Sequence, residues 1–404
     1  MESLPLPHLF EGFGVEIEWM IVDAATSMPT PLAHVLLGED RADPTVERPR
    51  GDARWSGELV RHQVEVAASA RKLEGLGAVF EAEAAAMNDA LAPHGARLLG
   101  GGLHPLFDPT RAELWPADAS PTLRAWDAVF GCRGHAWVNL QSVHLELPFE
   151  GDEELARLHA ATRLVLPLIP AIAASSPFVD GRRSPFLDTR IDLFRAKHAK
   201  VPQVVGRIVP EPITSRAGYE ARILRPMYTA VAHLDPEGLL RDVRLDGRGA
   251  VARFDRDVMQ IRLIDAQETP RADVAICAAI ATVIRALTQG ILPNGYPTEG
   301  STERLAYLLE LSTREGERAT IDDPAFLRAF GLRRERVTFG QLWAHLVERC
   351  PPAREHAEPL ETILRHGPLA RRMLTRVGSV DRASLETLCR ELAECLRDGR
   401  MLLA

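Results

Sequence analysis

Gly14-Val-Glu-Ile-Glu-Trp-Met-Ile-Val-Asp23 is the stretch that decides the fold class of this chain. Apolar and acidic residues alternate at its start, which is the pattern of a β-strand with one buried face and one polar face. Glu16 and Glu18 lie on the polar face, about 7 Å apart. We therefore predict a strand over residues 15–23. Its apolar face is made of Val15, Ile17, Trp19 and Ile21.

Three later stretches repeat this alternation, each with an apolar face and a face of carboxyl, amide, imidazole or guanidinium groups. Helical patterns separate the strands, which favours an α+β fold with a largely antiparallel sheet. The predicted strands cover 59–66, 139–147 and 257–265, and the helices cover 73–91, 151–174 and 272–288. The polar faces carry Arg61, Gln63, Glu65, Ser142, His144, Glu146, Gln260 and Arg262, and Glu58 lies just before the first of them.

The last quarter of the chain has a different pattern. Residues 301–404 show almost continuous helical periodicity and end in an amphipathic run over 382–397. Earlier in the chain, residues 175–195 are polar and rich in turn formers. We predict a sheet-containing domain over 1–300 and a helical C-terminal region over 301–404 that packs on it.

The composition excludes several classes of protein. With 46% hydrophobic and 26% charged residues among 404, the chain is globular rather than disordered. A net charge of −8 without a basic block argues against a nucleic-acid partner. The apolar runs fall short of the ~20 residues that a membrane helix needs. Five cysteines without a CxxC pair lead us to expect reduced thiols and a cytoplasmic protein.

Lysine is scarce, and this bears on phosphate chemistry. Of the 48 basic residues only Lys72, Lys197 and Lys200 are lysines, and none follows a GxxxxGK[ST] pattern. A P-loop is therefore excluded. If the protein handles phosphates, arginine and metal ions must do most of the work.

Carboxylates and one imidazole dominate the predicted polar face, whereas a merely solvated face would use threonine, lysine and serine freely. Neighbouring carboxylates repel one another and raise each other's pKa unless cations neutralise them. Oxygen-rich sites suit Mg²⁺ or Mn²⁺, which usually bind substrate phosphates as well. The pattern indicates a metal–nucleotide site, while a solvated face is the alternative that alternation leaves open.

Six short motifs, in this order, resemble those of glutamate–cysteine ligase family 2, the carboxylate–amine ligases. The resemblance covers about residues 10–290 and is carried by the combination rather than by any single motif. The motifs are Gly-Val-Glu-Ile-Glu at 14–18, Gly-Glu followed by Val-Glu at 57–65, Gly-Gly-Leu-His-Pro at 101–105, Asn-Leu-Gln-Ser-Val-His-Leu at 139–145, Ala-Ser-Ser-Pro-Phe at 174–178 and Ile-Arg-Leu-Ile-Asp at 261–265.

The resemblance implies a glutamine-synthetase-like fold, in which the concave face of the sheet holds metals, ATP and an acyl acceptor. It implies an ATP-dependent ligase that uses Mg²⁺ or Mn²⁺, joins a carboxylate to an amine (both expected to be amino acids) and passes through an acyl phosphate. A non-catalytic ligand-binding or regulatory relative is the alternative, and the oligomeric state is left open. The positions that match metal ligands are Glu16, Glu18, Glu58, Glu65 and His144.

Three further residues are predicted to contact substrate. Arg190 is expected to bind a substrate carboxylate or phosphate through its forked guanidinium group, although a surface turn would explain its loop equally well. Arg262 is the predicted catalytic residue, because its planar fork of donors suits a phosphoryl group. Gln260 stands where the family usually has a metal-binding glutamate, so we predict a weaker metal ligand or a substrate contact there.

Overall fold

The computed structural model describes residues 8–38, 43–116, 120–293, 295–296 and 301–403. Its strands are β1 Phe13–Asp23, β2 Arg48–Arg50, β3 Ala53–Gly57, β4 Gln63–Ala70, β5 Ala96–Leu99, β6 Ser142–Pro148, β7 Phe178–Val179, β8 Arg182–Arg183, β9 Ala250–Arg253, β10 Val258–Asp265, β11 Thr320–Ile321 and β12 Val337–Thr338. Its helices are α1 Ala33–Leu37, α2 Leu76–Leu91, α3 Pro121–Phe130, α4 His135–Val138, α5 Gly151–Val165, α6 Pro170–Ala173, α7 Thr189–Lys197, α8 Arg216–Tyr219, α9 Arg225–Val231, α10 Pro270–Thr288, α11 Ser301–Glu315, α12 Pro324–Ala329, α13 Phe339–Arg349, α14 Ala357–His366, α15 Leu369–Val377 and α16 Arg382–Asp398.

One large sheet organises the described residues. It has eight strands in the order β2-β3-β4-β1-β6-β10-β9, with β5 also paired to β1. Every pairing in it is antiparallel. The four strands with predicted polar faces become β4, β1, β6 and β10, and they are consecutive neighbours in this order. The predicted α+β fold with a largely antiparallel sheet is confirmed.

The apolar face of this sheet is covered by helices. Helix α10 contacts β1 and β6, and α2, α5 and α14 pack around it in turn. Because α10 is enclosed in this way, its side chains are apolar on almost every side. Among the described helices, none combines the length and apolar character needed to cross a lipid bilayer.

The face of β1 that carries Glu16 and Glu18 is polar along only part of the strand. Met20 and Val22 lie on the same side as Glu16 and Glu18, because side chains alternate along a strand. Both are fully buried in a second hydrophobic cluster. Helices α15 and α16 supply most of the cluster's other members, including Met373 and Leu385. The C-terminal helices therefore cover one end of this face and leave the acidic end uncovered by this cluster.

Polar contacts also attach the C-terminal region to the sheet. Arg372 of α15 forms a fully buried ion pair with Glu268, which follows β10. The Glu268 carboxylate also accepts a hydrogen bond of 3.2 Å from the backbone of Leu402. Trp343 Nε1 of α13 donates to the Leu168 carbonyl at 2.7 Å. The division into a domain over 1–300 and a region over 301–404 stays a prediction.

Several predicted elements differ in the structure. The helix expected over 151–174 is divided into α5 and α6, and the strand expected over 139–147 begins only at Ser142. The strand expected over 59–66 begins only at Gln63, because Val60 pairs with Leu114 and the chain turns at 61–62. The stretch expected to be a polar turn contains helix α7, whose N-cap Asp188 accepts a hydrogen bond from the Ile191 backbone at 2.9 Å. No apolar periodicity marks this helix, because its buried side chains are partly polar: Thr189, Arg190, Ile191 and Phe194.

Candidate active site

Strand register brings the predicted acidic residues together. Glu18 of β1 lies directly opposite Glu65 of β4, and Glu16 lies opposite His144 of β6. Directly opposite residues of antiparallel strands project to the same face. Glu58, which follows β3, completes the set at the edge of this cluster. The sheet thus places Glu16, Glu18, Glu65 and His144 on one face, and the segment after β3 adds Glu58, the fifth predicted metal ligand.

Two groups of these side chains have the geometry of a metal site. Potential ligand atoms of Glu16, Glu65 and His144 all lie within 4.8 Å of one another, and so do those of Glu18, Glu58 and Glu65. Glu65 belongs to both groups. Carboxylate oxygens with one imidazole form a donor set that suits Mg²⁺ or Mn²⁺.

Hydrogen bonds hold the two buried glutamates of β1 in fixed orientations. His144 Nδ1 is 2.8 Å from Glu16 Oε2. Glu18 accepts two hydrogen bonds from Ser142, at 2.7 Å from the backbone N–H and 2.8 Å from the hydroxyl. The hydroxyl oxygen of Ser142 is also 3.1 Å from His144 Nε2. These contacts link the ligands to one another and fix their side-chain directions.

The electrostatics of the cluster show a deficit of positive charge. Burial and the neighbouring charge of Glu18 raise the pKa of Glu58 to about 8. Burial and the charges of Glu16 and Glu58 raise the pKa of Glu65 well above its usual range. For Glu16, burial alone would raise the pKa, but the hydrogen bond and charge of His144, with Arg256, lower it to about 2. A divalent cation would supply the missing charge, so these residues fit a metal.

Glu146 and Arg256 belong to the same cluster, and the site prediction missed both. Arg256, in the turn before β10, lies 2.5 Å from Glu146 and 3.4 Å from Glu16. Burial and the charge of Glu16 raise the pKa of Glu146 to about 7. Gly14 lies opposite Glu146, and a Cβ there would come within 2.8 Å of the Glu146 carboxylate. The alternation that selected His144 also marks Glu146, whereas no local signal marks Arg256.

A cavity of about 460 Å³ opens on this face of the sheet. Glu16, Glu58, Glu65 and His144 line one part of it, together with Gln260. Its cationic and aromatic lining consists of Arg244, Arg253, Arg256, Arg262, Lys197, His198, Trp126, Trp137 and Phe194. Acidic, cationic and aromatic groups therefore face one shared space.

Comparison with known sequences identifies the family of this chain. A sequence profile of glutamate–cysteine ligase family 2 matches residues 12–391. The chain belongs to glutamate–cysteine ligase family 2. The resemblance seen in the short motifs is thereby confirmed, and the match reaches well into the helical C-terminal region.

Several proteins are similar in sequence to this family 2 chain. An uncharacterized protein of Archaeoglobus fulgidus is 28% identical over 96% of this chain and 100% of its own length. The Rubrobacter xylanophilus protein called "Putative glutamate–cysteine ligase 2-3" is 27% identical over 80% of both chains. Its Streptomyces coelicolor counterpart, "Putative glutamate–cysteine ligase 2", is 25% identical over 91% of this chain and 95% of its own. Family and relatives together support a carboxylate–amine ligase.

Two solved structures share the fold of this family 2 protein. The bifunctional glutathione synthetase of Pasteurella multocida superposes with a TM-score of 0.60 and 12% identity, over 96% of this chain. The chain spans 53% of the length of that synthetase. The glutamate–cysteine ligase of Francisella tularensis, solved with AMP, gives a TM-score of 0.59 and 9% identity over 97% of this chain and 90% of its own. The predicted glutamine-synthetase-like class of fold is confirmed.

Arg190 and Arg262 occupy different positions in the family 2 site. The register of β10 against β6 shifts between Ile261 and Ile264, so Arg262 lies in a β-bulge beside the ligand cluster and lines the cavity. Arg190 is buried, forms an ion pair with Asp265, and donates two 3.3 Å hydrogen bonds to the Arg262 carbonyl. It does not line the cavity, so its substrate contact stays a prediction.

Gln260 points its amide nitrogen at two carboxylates. Its Nε2 donates to Glu16 at 2.9 Å and to Glu146 at 3.1 Å. The predicted role as a metal ligand or substrate contact has not been tested. The two hydrogen bonds do explain why an amide is accepted where the family usually has a carboxylate, because a third acid here would repel the other two.

Proposed function

We propose that this protein is an ATP-dependent carboxylate–amine ligase that forms an amide through an acyl phosphate and releases ADP and phosphate. The observation that carries the proposal is one cavity that is lined both by clustered carboxylate and imidazole groups and by Arg262, whose guanidinium Nε is buried without a partner. Such a site suits the binding of a metal-bound triphosphate and stabilisation of a transferring phosphoryl group.

The residues of the chain have separate roles in this proposal. Glu16, Glu65 and His144 would hold one cation, and Glu18 and Glu58 would hold a second one with Glu65. Mg²⁺ or Mn²⁺, when bound, would neutralise the charge of the phosphate groups. Arg262, in the β-bulge beside this cluster, would donate to the phosphoryl oxygens. Side chains of the cavity wall exclude water, which would otherwise hydrolyse an acyl phosphate.

Amino acids are the substrates that we propose, one as the carboxylate and one as the amine. Glutamate is the first acyl donor to test, because two relatives carry glutamate–cysteine ligase in their names. The alternative, a ligand-binding or regulatory relative without catalysis, is favoured by Gln260 alone. The intact set of five ligand residues favours the enzyme.

An isotope experiment tests the reaction class. The purified protein is incubated with ATP, Mg²⁺ and a mixture of amino acids, and ADP release and product masses are recorded. Oxygen-18 placed in the donor carboxylate is expected to appear in the released phosphate, because the acyl phosphate transfers one carboxylate oxygen. Release of AMP and pyrophosphate would show adenylation instead. No nucleotide turnover with any amino acid would favour the non-catalytic relative.

The Gln260→Glu variant tests the amide between the two acids. The change removes two hydrogen bonds and places a third carboxylate against Glu16 and Glu146. We expect the melting temperature in EDTA to fall below that of the wild type, and Mg²⁺ to raise it more than it raises the wild-type value. Gln289→Glu, at the exposed C-cap of α10, is the control. Identical melting behaviour with and without Mg²⁺ would show that position 260 does not face the site.

A further inference from the structure

Lys197 is a cavity-lining cation that forms no ion pair with any described residue. It ends α7, and its Nζ lies 3.9 Å from the centroid of the Trp137 ring and 5.6 Å from that of Phe194. In the described part of the chain, no carboxylate forms an ion pair with it. A cation–π contact uses the charge of the ammonium group but leaves its N–H donors available for an anion.

Arg262 is a second cation on the same wall of the cavity. Its Cζ lies 6.0 Å from the centroid of the same Phe194 ring. One guanidinium nitrogen donates to the Asp246 carbonyl at 3.2 Å, while its Nε is buried without a partner. Burial and the charge of Arg262 lower the pKa of Lys197 to about 8. The charges of Glu58 and Glu18 act on Lys197 only from beyond ion-pair distance. Two buried neighbouring cations are costly unless a ligand neutralises them more closely.

An aromatic cluster fixes the end of α7 and thereby Lys197. His198 lies among four aromatic rings, with centroid distances of 5.2 Å to Phe130, 5.6 Å to Trp137 and 5.7 Å to Phe194. Trp126 completes the cluster at 6.0 Å. Burial lowers the pKa of His198 well below its usual range, so the ring adds no third charge. The lysine is held by packing rather than by an acid, and its charge is left for a ligand.

We infer that Lys197 and Arg262 together form an oxyanion subsite, which takes the oxygens of a substrate carboxylate or of a phosphoryl group. The identity of the ligand rests on the proposed ligase function, whereas the subsite itself rests on two neighbouring cations that form no ion pair with any described residue. The acidic cluster lines the same cavity. An oxyanion on this wall would therefore lie close to the proposed metal ligands, where phosphoryl transfer requires it.

Calorimetric titration of the full-length protein tests this subsite. Three probes are used: inorganic phosphate, the Mg²⁺ complex of the non-hydrolysable ATP analogue AMPPNP, and L-glutamate. Lys197→Gln removes the charge, and Lys72→Gln is the matched control, since Lys72 is one of the two other lysines and is exposed. Lys197→Gln is expected to weaken at least one probe by about tenfold or more, the usual effect of a lost charge-assisted hydrogen bond. Lys72→Gln is expected to weaken none.

The pattern of losses distinguishes the two sources of the oxyanion. Weaker binding of phosphate and AMPPNP assigns the subsite to the phosphoryl group, and weaker binding of glutamate assigns it to the substrate carboxylate. Lys197→Arg keeps the charge and should restore most of the affinity, which a purely structural role would not produce. Equal affinities of wild type and Lys197→Gln for every probe would overturn the inference. So would a folded wild type that binds none of the three.

Failure of the subsite can be told apart from failure of the ligase. If a probe binds in a way that depends on Lys197 but no ADP is released, the oxyanion subsite is supported and the ligase is rejected. If the protein has ligase activity and Lys197→Gln does not change its kinetics, the ligase is supported and the subsite is rejected. Melting curves of each variant confirm that both comparisons are made on folded protein.

Discussion

Replacing Glu65 by glutamine is expected to lower ADP formation by a factor of about 10² or more, because charge stabilisation by bound cations supplies several kcal/mol to phosphoryl transfer. Glu65 is the residue shared by both groups of potential metal ligands, so its loss affects both cations at once. The variant keeps nearly the same volume and should fold. Its melting temperature in EDTA should not fall, since the raised pKa of Glu65 already favours a neutral carboxyl group, which the glutamine amide resembles.

Rates as a function of Mg²⁺ concentration, together with Mn²⁺ binding measured by calorimetry, check this expectation. Glu74→Gln is a suitable control, because Glu74 is exposed and lies outside the cavity. The control should match the wild type in both measurements. A Glu65→Gln protein with wild-type turnover and wild-type Mn²⁺ affinity would refute the assignment of Glu65 as a metal ligand.

Arg262→Lys is expected to lower kcat by about 10²-fold while changing the KM for ATP much less. The lysine keeps the charge but loses the planar fork of donors, and removal of one preorganised donor to a transition state typically costs 10²- to 10³-fold, to order of magnitude. Thermal stability should change little, because no ion pair of Arg262 exists among the described residues. Its single 3.2 Å hydrogen bond to the Asp246 carbonyl is the contact at risk.

Steady-state kinetics and melting curves of Arg262→Lys separate a catalytic role from a structural one. Arg111→Lys, at an exposed position away from the cavity, is the matched control and should behave as wild type. A lower melting temperature with intact turnover would mean that Arg262 serves packing. A rise in the KM for ATP with unchanged kcat would assign it to nucleotide binding alone.

The predicted metal-ligand set shows how far sequence reasoning reaches. The alternation in β1 predicts that Glu16 and Glu18 share a face, because side-chain direction along a strand is a local property with a period of two residues. The family motifs then mark Glu58, Glu65 and His144. Their approach to within 4.8 Å depends on which strands pair and in which register, and neither is encoded within a single strand.

Lys197 and Arg190 show what a local pattern leaves open. Sequence reasoning favoured Arg190 for substrate, since it follows a polar loop, yet its donors are used by Asp265 and by the Arg262 carbonyl. Lys197 lines the cavity, although the pattern around it is that of an exposed basic segment. The direction of each side chain depends on how α7 packs against α3 and α4, which carry Trp126, Phe130 and Trp137. The neighbours of Lys197 and Arg190 in the chain do not determine this packing.

The sequence by itself determined the two faces of the sheet, the acidic character of one of them and membership of a ligase family, because strand alternation and short motifs are local properties. Tertiary structure alone decided which part of that acidic face is covered and which side chains lie beside the rest of it. Helices α15 and α16 cover Met20 and Val22, a β-bulge carries Arg262, and α7 brings Lys197 to the cavity. Each of these results from contacts between residues far apart in the chain, where packing rather than local propensity determines the position of a side chain.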